Sequence, residues 1–542
     1  MWFGDLVTMR WWNDLWLNES FATYMSYLCM TQATRFTGSW QDFNASIKNW
    51  AYRQDQLITT HPIAGQVADT EQTFLNFDGI TYGKGASVLK QLAATIGADG
   101  FREGMRHYFR THAFGNATLA QFLASLEAGS NTDLKEWSKA WLETPSLNTI
   151  SASWEADGER ITKLSVAQVA PAEYPTIRPH QMEVGLLREE AGRIEVTSLP
   201  MTLTGAEAEL NAARGLPKPD LVFPNYNDHD YAKVALDNES VAFVRASLDR
   251  IDDILLRQQL WSSLFTMVRD QQLKSTDFLA LVIAKLPLER DLSLADAVLG
   301  QALAVLARYV PEATREREAH LFFCGALEAL RTAPAGDAKI VWGRAVVNSA
   351  VARDDIETTG RLSDGAETVP GFTVDQDMRW TIAAKYVANG LAGAAARVNA
   401  ETARDPSDRG QRALLRARVS QPSADVKAAA WERFRGEGYG SFHLTRAAME
   451  GFIWNCQRDL LEPYVEKFFE TVTAVFQGDN ISFAEDYFLT LFPGYRVERT
   501  VLERSERLLA ATPESMAALR RVIREANDDL QRAIRCREYA AS

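Results

Sequence analysis

The hydrophobic period of this chain changes twice, and those two changes limit its fold more than any single motif. Up to about residue 149, apolar residues recur at three- and four-residue steps, as in Trp40, Phe43, Ile47 and Trp50, the spacing of helices packed on one side. At about residue 150 the pattern alternates: Ile150, Ala152 and Trp154 share a side, Asp157-Gly158 signals a hairpin turn, and Leu164 and Val166 follow. Residues 182–186, 193–196 and 220–223 continue as short strands, punctuated by Pro217-Lys218-Pro219 and Pro224-Asn225. From about residue 240 the helical period returns and holds to the end. Ile254, Trp261, Leu264, Phe265 and Val268 form one stripe there, Leu502, Leu508 and Leu509 belong to another, and breaks fall at places such as residues 405–410. A chain of this kind is multidomain and mainly α. It should comprise a helical part over 1–149, a small β-sandwich over 150–240, and a large array of stacked helix pairs over 241–542.

Within the first part, residues 1–27 hold four of the chain's 14 Trp (Trp2, Trp11, Trp12, Trp16) and one carboxylate in an unusual place. The spacing predicts a helix from about Asn13, capped by Asn13 or Asp14, with Leu15, Glu19, Ala22 and Cys29 near one stripe. A carboxylate on an inward stripe has to be ion-paired, hydrogen-bonded or bound to a metal.

The run W-F-G-D-L-V-T-M-R-W-W-N-D-L-W-L-N-E-S-F-A-T-Y, containing Asn18-Glu19-Ser20-Phe21-Ala22, resembles the segment after the zinc motif in gluzincin aminopeptidases of the aminopeptidase N family. In that family H-E-x-x-H supplies two His ligands and a general-base Glu, and the Glu of N-E-[SG]-F-A is the third ligand. The resemblance implies that Glu19 is a ligand to Zn²⁺. Eighteen residues precede Glu19, the family's spacing from the second His, so that His would fall one position before Met1. None of the seven His (His61, His107, His112, His180, His229, His320, His443) lies in an H-E-x-x-H pattern. The expectation is a start assigned at an internal Met or a gene truncated upstream. The chain as given would lack two zinc ligands and the base, and would be inactive.

A second run, Phe77-Asp78-Gly79-Ile80-Thr81-Tyr82-Gly83-Lys84-Gly85-Ala86, is similar to the family's I-x-Y-x-K-G-A segment, a loop entering a helix. The resemblance places at Tyr82 the phenol that donates to the oxyanion of the tetrahedral intermediate, where a preplaced donor is worth about 3 kcal/mol. Gly83-Lys84-Gly85 is no phosphate loop, because G-x-x-x-x-G-K-[ST] is absent. His61-Pro62-Ile63 matches a family H-P-[IV] element, and His61 is read as structural. Residues 101–141 read as scaffold, with Asn116 and Thr118 as caps for the helix carrying Leu119, Phe122 and Leu126. Arg178-Pro179-His180-Gln181 and Tyr231-Ala232-Lys233-Val234 also resemble family segments. The family's domain layout implies the C-terminal part of a thermolysin-like catalytic domain over 1–149 and a helical domain that limits substrate size.

The implied activity is removal of N-terminal residues from peptides by a zinc aminopeptidase. The rival is a non-catalytic remnant in which the helical array binds a peptide or protein. A net charge of −13 argues against nucleic acid or anionic membrane as the main partner, and mildly favours substrates with a free amino terminus. No apolar run of about 18 residues could span a bilayer. Cys29, Cys324, Cys456 and Cys536 are scattered without a C-x-x-C pair, as expected of buried reduced thiols in a cytoplasmic protein. Trp2, Phe3, Trp11 and Trp12 would have packed on the missing half, so the isolated chain should be poorly soluble. Oligomeric state and side-chain preference leave no mark in the sequence.

Overall fold

The computed structural model describes residues 2–67 and 77–542 together with Thr70 and Thr73. Met1 lies outside the described residues. The chain forms two compact units, Met1–Met267 and Val268–Ser542. It is mainly helical with small sheets.

The first unit opens on strand β1 (Val7–Met9), which pairs in parallel with β2 (Gly115–Ala117). A short 3₁₀ turn, Trp12–Asp14, then leads into α1 (Trp16–Ala33). This start is later than the sequence predicts, and α1 has no side-chain cap. Asn13 and Asp14 cap elsewhere: Asn13 Oδ1 accepts from the Val67 N–H, and Asp14 Oδ2 from the Leu119 N–H 105 positions on. Of the expected stripe, Leu15 is buried just before α1, but the buried face of α1 itself is another one. Trp16, Leu17, Ser20, Phe21 and Tyr24 are buried, whereas Ala22 and Cys29 are exposed. The aromatic residues outcompete the small ones for the core, since each removes more apolar area from water.

A π-helical stretch, Phe43–Lys48, runs into α2 (Asn49–Gln54). After a second π-helical turn, Ile80–Lys84, come α3 (Gly85–Ile96), α4 (Ala98–His112), α5 (Leu119–Ser130) and α6 (Lys135–Trp141). Thr118 caps α5 in a capping box with Gln121, as expected, while Asn116 reaches back to the Met9 carbonyl. Phe21, Phe43, Leu89, Phe101, Phe122 and Trp141 meet in one core.

The strands follow in the predicted order: β3 (Thr149–Asp157), β4 (Arg160–Val169), β5 (His180–Glu190), β6 (Arg193–Leu203), β7 (Glu207–Glu209), β8 (Leu221–Tyr226) and β9 (Lys233–Ala235). They form a four-stranded sheet, β7-β4-β3-β9, and a three-stranded sheet, β6-β5-β8. Ile150, Leu164 and Val166 of the first share a core with Val184, Leu186 and Val222 of the second. Gly158, at φ +54°, makes the β3–β4 turn. Pro224-Asn225, expected between strands, lies inside β8 beside the register shift at Glu183/Val184, which relieves the ladder of the missing proline donor. The helix Ile254–Arg269 shows no single stripe, because Arg257, Gln258 and Gln259 are buried beside Leu260, Trp261 and Leu264.

The second unit is helical throughout the described residues. It includes α7 (Glu312–Thr332) and α8 (Arg353–Asp364). Its largest core gathers Trp431, Phe434, Phe452, Phe468, Tyr487 and Phe488, with Leu508 and Leu509 packed at the edge. Of the four cysteines, all free, only Cys536 is buried, against the expectation for all four.

Candidate active site

The N-E-S-F-A run and the I-T-Y-G-K-G-A run meet because two helices cross with almost nothing between them. Ser20 Oγ on α1 donates to the Thr81 carbonyl at 2.6 Å. A Cβ on Gly85 would stand 2.0 Å from that same Oγ and 2.8 Å from Ser20 Cβ. On the other side, a Cβ on Gly83 would stand 2.6 Å from the Ile47 carbonyl oxygen. Glycine at 83 and 85 is therefore a demand of close packing and not of phosphate binding.

This crossing brings the two candidate residues together. Both are half-buried, and the Glu19 carboxylate lies close enough to act on the Tyr82 phenol. Burial, then the nearby Glu19 carboxylate, push the phenol up to about 12, so it stays protonated and available as a donor. Its ring tilts against Trp50 at 6.2 Å and Phe77 at 6.4 Å. The π-helical turn that carries Tyr82 replaces the loop expected there.

Two residues around Tyr82 hold that turn. Asp78 Oδ1 accepts from the Ile80 and Thr81 N–H groups at 2.9 and 3.0 Å, and the Asp78 carbonyl accepts from Tyr82 N–H. His61 Nε2 lies 2.9 Å from Asp78 Oδ2, and His61 Nδ1 lies 2.8 Å from the Pro62 carbonyl. Both ring nitrogens face acceptors, so both donate and the imidazole is charged. Burial works against that charge, but the Asp78 carboxylate outweighs it and holds the imidazole above its ordinary value. His61 is thus structural, as expected. The part played by Asp78 was missed, although an Asp two residues before a helical turn is a capping signal.

Lys84 of the same run is fully buried. Its Nζ lies 3.0 Å from Asp55 Oδ2 and donates to the Ser146 carbonyl at 2.9 Å. Burial brings it down to about 8, against the pull of Asp55. Behind the site, Arg178 is buried and donates to Asn148, Thr144 and Pro145, while His180 Nδ1 meets Asp230 Oδ2 at 2.8 Å. These family-like segments join helices to sheets.

The donor set for a metal is one carboxylate. Among the described residues no group of three or more His, Cys, Asp or Glu is arranged to hold an ion. Glu19 alone does not make a zinc site.

Comparison with known proteins shows what the chain resembles at both ends. Residues 1–141 match the peptidase family M1 domain, and residues 221–532, more than half of the chain, match the ERAP1-like C-terminal domain. The chain is 37% identical to an aminopeptidase N of Streptomyces lividans over 554 aligned positions, covering 100% of this chain and 64% of that protein. It is 32% identical to the Tricorn protease-interacting factor F2 of Thermoplasma acidophilum over 52% of this chain and 33% of the relative. With a probable aminopeptidase 2 of Sulfurisphaera tokodaii it shares 45% identity over 26% of this chain and 18% of the relative. The protein belongs to the aminopeptidase N family of M1 peptidases. It spans less than two-thirds of the length of each of these relatives. Among the described residues no helix is long and apolar enough to cross a membrane.

Proposed function

We propose that the chain carries part of a zinc-dependent aminopeptidase that removes N-terminal residues from peptides. The observation that carries this is the close crossing of the two runs, in which Ser20 Oγ donates to the Thr81 carbonyl and Gly85 leaves no room for a Cβ, so that Glu19 and Tyr82 come to one place. In this reading Glu19 is one metal ligand, and Tyr82 donates its proton in a hydrogen bond to the oxyanion of a tetrahedral intermediate. Zn²⁺, held with two His that are not among these 542 residues, would supply an activated water at neutral pH. His61 and Asp78 hold the turn on which Tyr82 stands. The order helices, strands, helices supports a three-part layout: a thermolysin-like portion over 1–149, a β-sandwich over 150–240 and a helical solenoid over 241–542. Four free thiols accord with a reducing compartment.

The test uses the protein purified from its native source. Its intact mass is compared with 60.5 kDa, and release of p-nitroaniline from an aminoacyl-p-nitroanilide is followed with and without a zinc chelator. The reading requires chelator-sensitive release of the N-terminal residue. It also requires Tyr82→Phe to lower kcat by about 100-fold with little change in KM. A native protein of 60.5 kDa with no peptidase activity would remove the proposal.

A further inference from the structure

Away from the Glu19–Tyr82 pair, one cluster in the second unit joins a nucleophile, a base and an orienting carboxylate. His320 and Cys324 stand four residues apart on α7, so their side chains share a face. Cys324 Sγ lies 3.6 Å from His320 Nε2, and His320 Nδ1 lies 2.9 Å from Asp355 Oδ1 on α8. The Asp355 side chain is 3% exposed and the His320 side chain 52%, while Cys324 is exposed to solvent. An ionised carboxylate only accepts, so Nδ1 must carry the proton. The other nitrogen of the neutral ring is left as an acceptor, aimed at the thiol.

We infer that Cys324, His320 and Asp355 form a thiol-modification site that adds to soft carbon electrophiles of the α,β-unsaturated carbonyl class, with His320 as the base. As Cys324 Sγ attacks the β-carbon, Nε2 takes the thiol proton and a C–S bond forms. The π pair of the C=C bond moves to the carbonyl oxygen as an enolate, and Nε2–H then returns the proton to the α-carbon. Nothing leaves and no second reactant is consumed. Asp355 acts through His320 by fixing its tautomer, which makes it a positioning residue.

The surroundings separate this site from an ordinary surface cysteine. Burial, then the Asp355 carboxylate, push the Cys324 thiol up against the pull of Arg331. Glu316 and Asp354 add negative charge near Asp355. A thiol in that field is a poor thiolate, so without a base it would react only at alkaline pH. With His320 as its base it can react below that range.

The full chain is treated with N-ethylmaleimide between pH 5.5 and 9, and the rate at each cysteine is read by peptide mass spectrometry. Exposed Cys29 and Cys456 serve as internal references. At pH 7 Cys324 is expected to react at least ~10-fold faster than either. Its rate should climb less steeply toward pH 9 than theirs. His320→Gln and Asp355→Asn should bring it down to the reference rate. Because His320 is exposed, its variant carries the test if Asp355→Asn unfolds. A Cys324 rate no faster than those of Cys29 and Cys456 overturns the inference. So does a rate that climbs through pH 9 alongside theirs, or one unchanged in His320→Gln.

Discussion

Gly85 shows how a single residue sets the distance between two functional side chains. Adding one methyl there would drive a Cβ into Ser20, whose hydroxyl cannot retreat without giving up its bond to the Thr81 carbonyl. Gly85→Ala should therefore lower stability by about 1–3 kcal/mol, the range for overpacking, read as a lower denaturant midpoint at unchanged slope. His61 makes a second prediction at this scale. Its folded-state value is raised, so its contribution to stability is fully present below the unfolded imidazole value of about 6.5 and is lost as pH rises through the folded one. The stability gap between the wild type and His61→Gln should be widest near pH 6 and shrink above it. A gap of constant size from pH 5.5 to 8.5 would show that the charged His61–Asp78 pair contributes nothing.

At the scale of elements, helix ends in the second unit are closed by lysines from neighbouring helices. Lys339 Nζ donates to the Leu330 and Arg331 carbonyls at the end of α7, and Lys385 to those of Asn348 and Ala350, where the helix Asp337–Ser349 ends. Lys427 reaches the Val419 carbonyl at the end of the helix Asp408–Val419, and also that of Phe452. Each satisfies carbonyls that a helix terminus leaves open. Burial brings Lys385 and Lys427 down to about 7. A neutral amine still has two donors, enough for both carbonyls, so losing the proton costs no bond. Between about pH 7 and the unfolded value near 10.4 the unfolded chain holds protons that the folded chain has released, and stability rises with pH. The urea midpoint should be higher at pH 9 than at pH 7, and Lys385→Met with Lys427→Met should reduce that rise, leaving the share that Lys84 and Lys90, both brought down by burial to about 8, contribute. These lysines also mark where sequence reasoning stops. Periodicity and turn signals located the strands and the Thr118 cap because those are local. Asn13 and Asp14 were misassigned because their partners, Val67 and Leu119, lie far along the chain, and charged residues read as surface until a structure shows what they reach.

The whole molecule divides into two units with separate cores, and a buried ionic centre ties together the helices and sheets of the first. Lys48 Nζ lies 2.6 Å from Asp228 Oδ1, and Lys90 Nζ lies 3.7 Å from Asp228 Oδ2. Burial raises the Asp228 carboxyl, but Lys48 and Lys90 outweigh it and hold it below its ordinary value. Lys48 sits in the Phe43–Lys48 stretch, Lys90 on α3, and Asp228 just past β8, so one carboxylate fastens three elements. Nothing in the sequence marks Asp228 out, because its partners lie 180 and 138 residues before it. Asp228→Ala would leave two buried ammonium groups without their counter-ion, a loss of about 3–5 kcal/mol. If the units unfold separately, that loss falls on one transition. Calorimetry should then show the transition of residues 1–267 moved down by about 2–4 °C per kcal/mol, with the other in place. A single transition that shifts as a whole would mean that the two units unfold as one cooperative body, and the stability of the Glu19–Tyr82 crossing would then depend on both.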